Sequence, residues 1–84
     1  MTITLVKSLK ERLIYARTMR GITQGKLAKL AGCSQGTIGN VESGIRLTLR
    51  NVVQVARALD VSSDWLSDGI GQAPESLNQM PSVG

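Results

Sequence analysis

Apolar residues along this chain recur at helical spacing. Leu5, Leu9, Leu13 and Ala16 form one stripe, and Ile38 and Val41 stand three apart in a second. The clearest pattern is TLRNVVQVARALD, where Val52, Val55, Ala56 and Leu59 fall at i, i+3, i+4 and i+7. Each such stretch follows a serine or threonine that can cap a helix start: Ser8, Thr23, Ser34, Thr48 and Ser62. Ser8 with Glu11 makes an S-x-x-E capping box. Glycines punctuate the exits at Gly21, Gly32, Gly44 and Gly69. The spacing predicts an all-α, compact five-helix domain, with helices over 8–20, 24–31, 35–42, 49–59 and 63–68. An earlier start for the first helix, at Thr4, is the alternative. The alternation Thr2-Ile3-Thr4-Leu5 fits a short extended arm. Beyond Gly71 the chain reads QAPESLNQMPSVG, which predicts a flexible tail or linker (72–84) after one domain (1–71).

Charge changes this picture more than composition does. All ten Lys and Arg lie in residues 1–59, opposed only by Glu11 and Glu42, a net charge of +8. Residues 60–84 carry Asp60, Asp64, Asp68 and Glu75 and no basic residue, a net of −4. A basic body with an acidic end suits a polyanion, most often nucleic acid. Tyr15 and Trp65 are the only aromatics, too few for a base-stacking platform. The chain has no histidine, no cluster with metal-ligand spacing and no phosphate-binding glycine loop. An enzyme, a metal site and a cofactor are therefore not expected, nor is a small-molecule substrate. A lone cysteine, Cys33, suits a reducing compartment, and no apolar run approaches the ~20 residues of a membrane span. A cytoplasmic location, with no membrane partner, is the expectation.

Residues 24–43, QGKLAKLAGCSQGTIGNVES, carry the function. Two short helices joined by Gly-Cys-Ser cannot run antiparallel, so they must cross steeply as a helix-turn-helix. Ala28 supplies the small residue at the crossing and Gly32 the turn. Leu27, Ala31, Cys33, Ile38 and Val41 are spaced to face inward.

With GITQ (21–24), LAKLAGCSQGTI (27–38), VESG (41–44), VARALDVS (55–62) and DWLSDG (64–69), residues 9–69 resemble the lambda repressor/Cro-type (Xre) family. The resemblance implies a five-helix DNA-binding domain, commonly a homodimer on a twofold-symmetric operator. It implies a transcriptional regulator, a repressor of phage or prophage type, working on the nucleoid of a bacterial or phage-infected cell. The alternative is an antitoxin-like or adaptor protein of the same fold whose main partner is another protein. The 72–84 segment lacks the amphipathic pattern that reading would need.

In this geometry the helix over 35–42 enters the major groove by its N-terminal end. With Ile38 and Val41 inward, Gln35, Gly36, Thr37 and Asn40 are left for base readout. Gln35 leads, because an amide can bond adenine N6 and N7 together. Gln24 opens a helix whose free N–H groups suit a phosphate. Lys26, Ser43, Arg46, Arg50 and Asn51 flank the same head as backbone grips. The resemblance further implies that Glu42 pairs with Arg17 across the first and third helices, with Arg17 also within reach of a phosphate. It places Gln24 as a brace for the backbone contact and for the reading glutamine. Lys7, Lys10 and Arg57 read as solubility charges. Trp65, Leu66 and Ile70 are the candidates for a dimer interface, less whatever part of them closes the core. Gly36 and Gly39, which cost helix stability, are expected to let the backbone approach the groove. On that reading, Gly39→Ala stabilises the free protein and weakens operator binding.

Overall fold

The computed structural model describes residues 8–71. Its elements are α1 (Leu9–Arg20), α2 (Gln24–Ala31), α3 (Gln35–Glu42), α4 (Val52–Leu59) and α5 (Ser63–Asp68), with no strand among the described residues. The extended arm at 2–5, the earlier start at Thr4 and the tail at 72–84 lie outside them. Ser8 caps α1, its side chain accepting from the Glu11 amide at 3.2 Å while Glu11 Oε1 accepts from the Ser8 amide at 3.4 Å. Thr23, Ser34 and Ser62 cap α2, α3 and α5 through their hydroxyls. Each such cap stabilises a short helix by about 1 kcal/mol.

The fourth helix departs from expectation. Thr48 caps nothing; α4 begins at Val52 behind Asn51, whose side chain makes no cap bond. Leu49 explains the delay, since it is already buried in the core before the helix starts. The chain spends residues 45–51 returning from α3 and seating that leucine. The helix exits onto Asp60, the one non-glycine among the described residues with positive φ (60°).

Leu13, Leu27, Ile38, Val41, Val55, Leu59 and Leu66 are fully buried, so every helix contributes to one core. Burying each such side chain stabilises by about 1.5–3 kcal/mol. α2 packs against both α3 and α4, α4 against α5, and α1 against α3 and α5. Cys33 lies against this core, as expected.

Trp65 and Leu66 are core residues, and the expectation that they form a dimer surface is corrected. Trp65 sits edge-on to Tyr15, ring centroids 6.2 Å apart, and Leu66 is fully buried. The six-residue α5 attaches itself first by these two large apolar side chains. Arg12 completes the attachment: from a buried position it donates Nε–H to the Leu66 carbonyl and Nη2–H to the Ser67 carbonyl, both at 2.8 Å. Only Ile70 of the three stands outside, 61% exposed. No helix among the described residues is long and apolar enough to cross a membrane.

Candidate nucleic-acid interface

α2 and α3 meet through Gly32-Cys33-Ser34. Gly32 takes the left-handed conformation (φ 76°) that ends α2, and the Cys33 amide bonds the Ala28 carbonyl at 2.9 Å. That conformation lets the chain turn steeply within three residues. The starts of both helices are thereby presented with their caps outward. Thr23 takes the Lys26 amide at 3.0 Å and Ser34 the Thr37 amide at 3.2 Å. Amides of the first turns that a cap leaves over are donors for an anion.

On α3, Ile38 and Val41 are buried while Gln35, Gly36 and Asn40 are exposed, as the spacing predicted. Thr37 is half-buried, and its hydroxyl lies 3.0 Å from Ser34 Oγ within the cap.

Among the grip candidates, Lys26, Ser43, Arg46 and Arg50 are exposed, and Gln24, Arg17 and Asn51 are half-buried. The Asn40 carbonyl gathers the loop behind α3, accepting from the Arg46 amide at 2.9 Å and from Ser43 Oγ at 3.2 Å. Ile45 and Leu47 stand on either side of Arg46, the most exposed large apolar residues described.

Behind this surface lies a charge network. Arg17 donates Nε–H to Glu42 Oε2 at 2.6 Å and Nη2–H to Oε1 at 2.9 Å, a two-pronged pair. Its Nη1–H reaches the Ile22 carbonyl at 2.8 Å. The bonds from the Glu42 carboxylate raise the Arg17 pKa above its ordinary value, against the lowering effect of burial. Glu42 is buried, so the one acid near the interface is neutralised rather than turned toward phosphate. Gln24 donates its amide to Glu42 Oε1 at 3.0 Å. It therefore braces the ion pair, where the resemblance implied a brace for the backbone contact and for Gln35.

Two further residues lie against this surface. Gly25 lies beneath Gln35: a Cβ there would stand 3.3 Å from Gln35 Oε1. A third glycine inside a helical stretch was the available signal. Lys10 folds against Gly44 at the α3 exit, its Nζ 3.8 Å from where a Cβ of Gly44 would be. That puts this exposed lysine next to the α3 exit, and no local pattern announces the contact. Gly36 has open space around it, with only Ser34 Oγ near, at 3.8 Å. Gly39 instead faces Gln24 Oε1 at 3.5 Å. That is an ordinary contact distance, so the brace does not require a glycine there.

Two capped helices crossing through a glycine turn, with polar side chains free on the second, define a helix-turn-helix domain. A family model described as helix-turn-helix matches residues 13–66, and the chain belongs to that family, in its lambda repressor/Cro (Xre) type. It is 39% identical over 67 residues to the HTH-type transcriptional regulators for conjugative elements R391 of Providencia rettgeri and SXT of Vibrio cholerae, matching 80% of this chain and 31% of theirs. It is 42% identical over 64 residues to the regulator PrtR of Pseudomonas aeruginosa, across 76% of this chain and 25% of that one. The chain thus spans less than a third of these relatives' length. Among solved structures, the P22 c2 repressor in complex with a synthetic operator superposes with a TM-score of 0.67 at 28% identity, covering 74% of this chain and 96% of that one. The restriction-modification controller protein C.AhdI from Aeromonas hydrophila gives 0.63 at 37% identity, covering 69% and 86%.

Proposed function

We propose that this chain is a sequence-specific double-stranded DNA-binding transcriptional regulator of phage-repressor type, with α3 reading the major groove. One observation carries this reading. α3 offers Gln35 at its start and Asn40 in its last turn to the outside, while the nearby Glu42 carboxylate is held by Arg17. Gln35 is the principal base contact, with Asn40, Gly36 and the Thr37 methyl beside it. Gln24, Lys26, Ser43, Arg46, Arg50, Asn51 and Arg17 hold phosphates around it.

The molecule works as a homodimer on a twofold-symmetric operator, its recognition helices about 34 Å apart. Ile70, exposed just beyond α5, is the remaining candidate for the contact between copies. Its working location is the cytoplasm, on the nucleoid.

Selection of bound sequences from random duplex DNA by the purified chain tests this. The expected product is a palindrome with half-site centres about 10 base pairs apart. Affinity should also fall steeply with salt, by about 0.9 log units per log unit for each phosphate contact. A pool that stays random after repeated selection would overturn the proposal.

A further inference from the structure

We infer that Gly25 is a positioning residue for base readout: the absence of a side chain there sets where the Gln35 amide can lie. The inference rests on the proposed reading role of Gln35. Gly25 sits in the first turn of α2 with ordinary helical backbone, so its conformation does not require glycine. Glycine is the weakest helix former after proline, and its presence here works against the fold. The compensation lies across the turn. A Cβ at Gly25 would meet Gln35 Oε1 at 3.3 Å, Gln35 Cδ at 3.8 Å and Thr23 Oγ1 at 3.9 Å. Among the helical glycines this is the tightest contact, since Gly36 meets only Ser34 Oγ at 3.8 Å and Gly39 only Gln24 Oε1 at 3.5 Å.

What gives way decides the consequence. Gln35 is exposed, so its amide can swing aside by a few tenths of an ångström with little loss to the fold. Bonding both adenine N6 and N7, however, needs oxygen and nitrogen each within a hydrogen-bond window about half an ångström wide. A methyl group at Gly25 therefore leaves the helix sound and displaces the atoms that read. Stability and specificity move in opposite directions, which a merely structural glycine would not produce.

The experiment compares Gly25→Ala, Gln35→Ala and the double variant of the full chain. The probes are the selected operator, operators altered at single bases, and random duplex DNA. Gly25→Ala should melt at or above the wild-type temperature and keep its affinity for random DNA. Its preference for operator over random DNA should fall about three- to tenfold per half-site, at the base pair where Gln35→Ala loses about tenfold or more. In the Gln35→Ala background the same substitution should change nothing further.

An unchanged preference in Gly25→Ala beside a loss in Gln35→Ala would overturn the inference and leave the reading role intact. So would a loss that persists in the double variant, an equal loss on random DNA, or a lowered melting temperature. Full preference in Gln35→Ala would overturn the reading role and this inference with it.

Discussion

Helix α1 carries two inward arginines that solve the same problem differently. Arg12, at one end, is buried and gives its nitrogens to the Leu66 and Ser67 carbonyls at the close of α5. Arg17, at the other, grips the Glu42 carboxylate from two sides and also takes the Ile22 carbonyl. The first acts as a cap from outside, occupying carbonyls that a helix end leaves unpaired. The second is an ion pair that fixes α3 against α1 and keeps a negative charge off the proposed DNA surface. Arg12 therefore completes the fold at α5. Arg17 carries the fold to α3, the proposed reading helix.

The sharpest way to break this comparison is to strand a charge. Arg17→Met leaves buried Glu42 with the Gln24 amide as its remaining partner among the described contacts. The expected loss is about 3 kcal/mol, against a total of roughly 5–10 for a domain of this size. Removing both charges in Arg17→Met/Glu42→Met should cost less than removing the arginine alone. Urea denaturation of the three proteins measures this; equal losses for single and double variants would mean that the stranded carboxylate costs nothing. The pair's dependence on pH follows from its direction. Arg17 has its pKa raised by Glu42, so its contribution is complete below arginine's ordinary value. It is lost only as pH rises through the higher folded value, so the arginine itself adds no slope across the neutral range.

Arg12→Leu should fall next in size. The aliphatic packing is largely kept, two charge-assisted bonds to carbonyls are lost, and stability drops by about 2 kcal/mol. The preference for operator over random DNA should stay as it was, because the Arg12 bonds described run to α5 and not to α3. A changed preference would mean that α5 and the reading head are coupled, and the two ends of α1 would lose their distinction.

The same two arginines show what the sequence made legible. The Arg17–Glu42 pair was legible through the family resemblance, because the VESG stretch puts Glu42 at a recognisable place and an ion pair needs a particular residue type at each end. The partners of Arg12 are backbone carbonyls, which any residue supplies, so nothing about positions 66 and 67 points back to it. Its place in the Leu9, Leu13, Ala16 stripe was the one hint that it faces inward. Periodicity and capping residues located α1, α2, α3 and α5 to within a residue. α4 started later because Leu49 had core to fill first, a tertiary demand that Thr48 could not signal. Trp65 and Leu66 were ambiguous for a related reason: large apolar side chains near the end of a domain suit a core and an interface equally. The outward set on α3 followed directly from Ile38 and Val41, whereas the glycines divided only once their neighbours were known.

Gly39 tests that division with the smallest expected effect. Sequence reasoning had its bare position facing DNA, in which case an added methyl group weakens operator binding. In the fold a Cβ there meets Gln24 Oε1 at 3.5 Å, an ordinary contact with a side chain already committed to Glu42. Gly39→Ala should therefore stabilise the chain by about 1 kcal/mol through helix propensity alone. Its preference for operator should stay within about twofold of wild type. A melting curve and the same binding assay decide the matter. If binding weakened markedly while stability rose, Gly39 would belong with Gly36 on the outward face after all. The Gln24 brace would then extend no further than the ion pair it supports.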